Sequence, residues 1–263
     1  MYRRGESSPR LSNPRATGFE NDFYTMIGPD GQRDTTMEEL LAQRVDGPTS
    51  AIWHKLLDPS QQLTPDERAQ VAIFIAFLFT RTSSLRRMLQ DVFAELEEKT
   101  RILLDKRAND PTWRPVPLTP GVPAYPISSP EDLKLTQNDL VASVLSGVEE
   151  VAQIVSQMNW TFVHAPFDSH FITSDNPVAW HNPFTKDLRL LADITKPGIE
   201  ITVPISKNCC LVCSYHGPEG HIDVEAHGVD LINRRTLTWA DSEVYSSTRE
   251  EWLDREFFGD LPK

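Results

Sequence analysis

From residue 37 the apolar positions recur at helical spacing: Met37, Leu40 and Leu41, then Ile52, Trp53, Leu56 and Leu57, up to Asp58-Pro59. Asp34-Thr35-Thr36 supplies N-cap residue types ahead of the first helix, and Gly47-Pro48 divides the stretch into two. The strongest signal starts at Thr64-Pro65-Asp66-Glu67: an N-cap hydroxyl, proline in the first helical position where no N–H is needed, and a glutamate three residues beyond the cap. No proline or glycine interrupts it before Lys106-Arg107, so one continuous spine helix is predicted. Residues 71–79 are apolar on every side, as in a helix surrounded by others, and the half beyond them is amphipathic. Residues 133–158 predict another long helix, which Asp139 could interrupt, with Leu140, Val144, Val148, Val151 and Val155 on one stripe. After Asn159 the pattern shortens: 160–164, 171–173, 199–205, 208–215 and 244–245 read as strands, and 228–240 as a helix. Helices first and turn-linked strands afterwards predict an α+β fold, an N-terminal helical layer packed on a C-terminal antiparallel sheet.

Composition refines this outline. The chain has 263 residues, enough to bury a core without disulfides or metal, and 20 Pro against 12 Gly. Seven of those prolines fall within 111–130, a density that excludes helix and central strand and marks a stiff connector. Residues 1–18, rich in Arg, Ser, Pro and Asn, read as an irregular arm; 19–263 read as a single domain, with a short extended piece at 19–24. Net charge is −12, and it is uneven: residues 1–110 carry 15 basic and 17 acidic groups, the remainder 11 and 21. The acidic half disfavours bulk nucleic-acid binding, which leaves a small molecule or a protein as the expected partner. The longest apolar run is nine residues, about half of a membrane span. No signal-like apolar segment precedes it. Cys209, Cys210 and Cys213, an odd number within five residues, are no disulfide framework and point to a reducing, cytoplasmic setting. Strand alternation puts Cys209 and Cys213 on one face and Cys210 on the other, as buried thiols; a zinc site with His216, His221 or His227 is the alternative.

Three pieces carry a resemblance. They are Glu20-Asn21-Asp22-Phe23-Tyr24; the stretch from Ala72 to Arg86 with Phe74-Ile75-Ala76 and Arg81-Thr82; and Phe171-Ile172-Thr173-Ser174-Asp175-Asn176-Pro177-Val178, followed by Val203-Pro204-Ile205-Ser206. In order and spacing, over residues 20–245, they resemble a bacterial family designated domain of unknown function 4238. That family usually opens with a His-Tyr-x-Pro motif, which this chain does not carry before Phe19. The resemblance implies a fold grouping and no reaction.

The densest polar segment is 164–181, with three of the seven histidines and two aspartates on strand ends and turns. Imidazoles and carboxylates are the ligands of zinc, iron or manganese, so Asp175, His164 and His170 are candidate metal ligands, although their spacing matches no standard signature. Ser174-Asp175-Asn176-Pro177 reads first as an Asx-type turn, and secondly as a mount for Asp175 as general base. Arg81 leaves the apolar half of the spine helix and needs a carboxylate partner if enclosed; an Arg81–Asp175 pair joining the two halves is expected. The catalytic candidates are therefore Asp175, Arg81 and His170, with Arg86, Asn176 and Ser174 as substrate contacts. The functional expectation is a metal-assisted hydrolase acting on a phosphoester or other anionic substrate. The alternative is a non-catalytic regulatory or protein-interaction protein. An open pocket holding Arg81 and Asp175 would favour the first, a closed ion pair the second.

Overall fold

The computed structural model describes residues 1–13, 17, 23–109, 112, 136–182, 196 and 198–258. Strand β1 (Tyr2–Arg3) is followed by a small hairpin of β2 (Met26–Ile27) and β3 (Arg33–Asp34). Helix α1 (Thr36–Leu41) runs through a π-helical turn (Ala42–Asp46) into α2 (Gly47–Ile52) and a 3₁₀ turn (Trp53–Leu57). Gly47-Pro48 thus marks a change of helix type within a continuous path, because Pro48 sits in the first turn of α2, where its missing N–H is tolerated.

The expected capping box is present at α3 (Pro65–Thr80): Thr64 accepts from the Glu67 N–H while Glu67 accepts from the Thr64 N–H. The spine does not continue as one helix. It breaks at Arg81-Thr82 before α4 (Ser83–Asn109), since the Thr82 hydroxyl donates to the Phe79 carbonyl and accepts from the Leu85 N–H. A threonine that bonds both neighbouring turns caps the next helix instead of extending the last, a competition that apolar periodicity does not register. Helix α5 (Gln137–Gln157) begins at a second capping box, Thr136 with Asp139, so Asp139 starts the helix rather than interrupting it. The connector expected at 111–130 lies outside the described residues but for Thr112, as does most of the extended piece expected at 19–24.

Strands β4 (Asn159–His164), β5 (Thr173–Ser174), β6 (Ala179–His181), β7 (Glu200–Ser206), β8 (Cys209–Ser214) and β9 (Gly220–Asp223) follow, then α6 (Ala226–Trp239), β10 (Glu243–Tyr245) and α7 (Glu251–Phe258). The main sheet has the order β6-β7-β8-β4-β9 and is antiparallel except where edge strand β9 runs parallel to β4. The fold is α+β, as the element order implies. One sheet face buries Trp160, Ile201, Val203 and Leu211 against Val71 and Ile75 of α3 and Val151 and Val155 of α5. Each such side chain contributes roughly 1.5–3 kcal/mol on burial. Strand alternation turns Val163 and Cys210 to the opposite face, under Val229 and Ile232 of α6. Arg68 of α3 ties helix to sheet, its guanidinium 4.3 Å from the Trp160 ring and donating to the Met158 carbonyl at 2.6 Å.

A second sheet, β1-β10-β5, takes in Tyr2–Arg3 from the stretch 1–18 expected as an irregular arm. Tyr2 is 1% exposed, pairs with Val244 and lies against the rings of Phe257 and Phe258, while Arg3 ion-pairs with Glu243. A polar average conceals one aromatic anchor. Among the described residues, no helix is long and apolar enough to cross a membrane.

Candidate functional site

The break at Arg81-Thr82 has a spatial consequence. It leaves Arg81 in the lining of a cleft of about 350 Å³, together with Leu78, Thr82, Glu38, Leu41 and Asp46. Phe23 and Tyr24 form one side, and the turn carrying Ser174, Asp175 and Pro177 forms another. Arg81 and Asp175 therefore share one open cleft, as the hydrolase expectation requires. They are not ion-paired with each other.

Asp175 is fully engaged by its own neighbourhood. Its Oδ1 accepts from the Asp241 N–H at 2.9 Å. Its Oδ2 accepts from the Ser242 N–H and hydroxyl, both at 2.8 Å, and from the Glu243 N–H at 3.0 Å. The backbone agrees with this clasp, since β5 pairs with β10 and the Asp175 N–H donates to the Glu243 carbonyl. Ser174 closes the turn by donating to the Asn176 carbonyl at 2.8 Å and accepting from its N–H at 3.1 Å. The local turn is therefore built by the Ser174 hydroxyl, which accepts from the N–H two residues on, and not by Asp175 or Asn176 as the Asx-type reading expected. Both oxygens of the Asp175 carboxylate are thus occupied by donors from 241–243. Behind it, Arg87 ion-pairs with Asp241, the residue whose N–H reaches Asp175.

The expected Arg81–Asp175 pair is replaced by Arg81 Nη1 and Asp46 Oδ1, 3.6 Å apart with side chains 35% and 48% exposed. The guanidinium also stands 5.7 Å from the Phe74 ring. Asp46 ends the π-helical turn and reaches Arg81 from the helical layer itself, whereas the main-chain donors of 241–243 occupy both Asp175 oxygens. Arg86, expected as an anion contact, donates to the Gln137 side chain and lies 5.3 Å from the Phe23 ring, so it joins α4, α5 and the cleft wall.

The remaining candidates do not converge. His164 Nε2 and His221 Nδ1 share a hydrogen bond of 2.8 Å with their rings stacked, because both side chains fall on the same face of neighbouring strands β4 and β9. His170 is not part of the cleft; its carbonyl accepts from Asn233 of α6 while its Nδ1 is buried without a partner. Asn176 is 4% exposed, with Oδ1 likewise unpartnered. Asp175, His164 and His170 thus occupy three settings and cannot share one metal, and among the described residues no three His, Cys, Asp or Glu are placed to hold one. The thiols of Cys209, Cys210 and Cys213 are buried and unpaired, and burial pushes all three upward, Cys209 to about 12. The zinc alternative with His216, His221 or His227 has no support there.

Sequence reasoning missed three residues of this cleft: Tyr24, Glu38 and Asp46. Tyr24 is 7% exposed, and its hydroxyl is buried beside the Thr80 hydroxyl, with no well-aligned hydrogen-bond partner among the described residues. The phenol feels both the Arg81 and Asp46 charges, and burial carries it well above the ordinary tyrosine range. Glu38 Oε1 accepts from the Tyr24 N–H and the Thr25 hydroxyl, fixing the aromatic pair against α1. The Glu20–Tyr24 motif was the available signal for Tyr24; Glu38 and Asp46 look like ordinary helix-surface acids.

Three shared stretches, one in the helical layer and one on the clasp turn, already align this chain with a grouping of proteins, and the comparison extends it. The family model described as "Protein of unknown function (DUF4238)" matches residues 1–250. The chain belongs to that family. No curated protein and no solved structure matches it.

Proposed function

We propose that the chain is a small-molecule-binding protein of the non-catalytic, regulatory class, acting in the reducing cytoplasm of a bacterial cell and holding its ligand in the cleft between the end of α3 and the 174–177 turn. One observation carries this reading. The cleft joins a loosely held ion pair, Arg81 and Asp46, to a buried phenol, Tyr24, while donors from 241–243 occupy both oxygens of Asp175. Buried polar groups are normally satisfied, so a phenol whose polar neighbour is another poorly satisfied hydroxyl, Thr80, leaves a valence open to water or ligand. A cleft of this volume falls in the range of small-molecule sites. The three buried, unpaired thiols support the reducing setting.

The hydrolytic reading has one observation in its favour, the open cleft that holds both Arg81 and Asp175. It requires a base other than Asp175. Native mass spectrometry of the full chain purified without added ligand, followed by small-molecule profiling after denaturation, tests the proposal. The expected result is a stoichiometric compound that Arg81→Ala loses and the exposed control Asp91→Asn keeps. Empty protein whose melting temperature no metabolite panel raises would end the binding reading. Turnover of generic phosphoesters, abolished in a folded Arg81→Ala variant, would favour the hydrolase.

A further inference from the structure

The signs and positions of the cleft's charges narrow the ligand further. Among the described lining residues Arg81 is accompanied by Glu38, Asp46 and Asp175, a formally negative set, and this argues against the phosphoester or simple anion expected from the arginines alone. Asp175 is screened by its four donors, and Glu38 is partly occupied by Tyr24 and Thr25. What stays available is one guanidinium, the Asp46 carboxylate and the unshared part of Glu38. The Arg81–Asp46 separation of 3.6 Å is beyond direct hydrogen-bond contact, and both groups are well exposed, so the pair is weak and open to insertion.

Tyr24 supplies the independent observation. Its residue is more than nine-tenths buried, its phenol is within electrostatic reach of both Arg81 and Asp46, and the Thr80 hydroxyl lies next to it. Apart from that neighbour, neither hydroxyl has a hydrogen-bond partner among the described residues. A guanidinium beside a phenolic donor is a carboxylate site. The Asp46 and Glu38 carboxylates in the same lining are the acceptors an ammonium needs. A plain anion would satisfy Arg81 and face Asp46 and Glu38; a plain amine would draw Asp46 away and leave Arg81 unpaired. Phe23, Leu41, Leu78 and Pro177 provide apolar walls around the same space.

Resting on the binding reading above, we infer that the ligand is a free α-amino acid with an apolar side chain. Its carboxylate meets Arg81 and Tyr24, its ammonium meets Asp46 and Glu38, and its side chain enters the apolar walls. The full chain would be titrated by calorimetry with leucine, phenylalanine, valine and methionine, then with 3-phenylpropionate, phenethylamine and inorganic phosphate. At least one amino acid should bind, with the analogue lacking either charge at least about tenfold weaker, because each leaves a desolvated partner unpaired. Arg81→Lys, which keeps the charge and loses the planar fork, and Asp46→Asn should each weaken that amino acid about tenfold or more while circular dichroism shows an intact fold. Equal binding of 3-phenylpropionate or phosphate, dependent on Arg81, overturns the amino-acid inference and leaves the binding reading standing. Failure of all the amino acids together with release of some other compound lost in Arg81→Ala has the same meaning. Failure of every probe together with protein that releases nothing overturns both.

Discussion

Replacing Asp175 by asparagine tests the clasp directly. The carboxylate accepts four hydrogen bonds from 241–243, three of them from main-chain N–H groups. Hydrogen bonds to a charged acceptor are each worth about 1.5–3 kcal/mol net, so the four set a gross ceiling of about 12 kcal/mol. Partial solvent access at the turn lets some donors find water once the acceptor is lost. Asparagine keeps one carbonyl acceptor but turns an NH₂ toward at least one donor, which leaves two or three bonds broken. The expected loss is about 2–4 kcal/mol, or roughly 5–15 °C in melting temperature for a chain of this size. Asp46→Asn is the matched control: it lines the same cleft, is 48% exposed at its side chain, and should stay within about 0.5 kcal/mol. Urea unfolding followed by tryptophan fluorescence gives both midpoints. If Asp175→Asn unfolds at the parental midpoint, the clasp is not structural and the carboxylate is again available for chemistry.

Three further outcomes follow from the geometry. Hydrogen bonds from Ser60 and Gln61 lower Asp58 to about 2 from its ordinary 3.8, so it contributes stability above that ordinary value which is lost as pH falls toward 2; Asp58→Asn should flatten the urea midpoint over that window. Burial first, and the His164 ring second, lower His221 below its ordinary 6.5 despite Asp58; the unfolded chain then binds the proton better, so stability should fall as pH drops below about 6.5, and less steeply in His221→Phe. With all three thiols buried and shifted upward, a colourimetric disulfide reagent at pH 8 should label no cysteine of the native protein and three after denaturation. Rapid native labelling would show that the β8 face is not packed as described.

Legibility in the sequence followed the range of the interactions. The Thr64 capping box, the all-apolar run 71–79 and the alternation of Cys209, Cys210 and Cys213 are local, and each has its predicted counterpart. Asp139 and Thr82 show where local reading fails: a short polar side chain can stop one helix or start the next, and only its hydrogen-bond partner decides which. Strands β6 and β9 escaped because three or four residues at a sheet edge carry almost no period. The cleft was half visible. Arg81 and Asp175 were singled out by residue type, but the partner of each comes from a distant part of the chain, Asp46 for one and 241–243 for the other, and both were available in the sequence only as surface acids and a turn.

The small sheet also sets an order of assembly. Strand β5 has β10 as its described partner, and β10 in turn is flanked by β1, so Tyr2 and Ser174 both wait for Val244. During synthesis the helical layer and strands β4, β7 and β8 can find one another while residues beyond 240 are still inside the ribosome. Until those residues emerge, Asp175 has none of its four donors and the wall of the cleft is unformed. Long-range closure of this kind is slow relative to helix pairing. The wall of the cleft is therefore completed last, and a chain interrupted before Asp241 would keep much of its helical core while the 174–177 turn lacked its clasp.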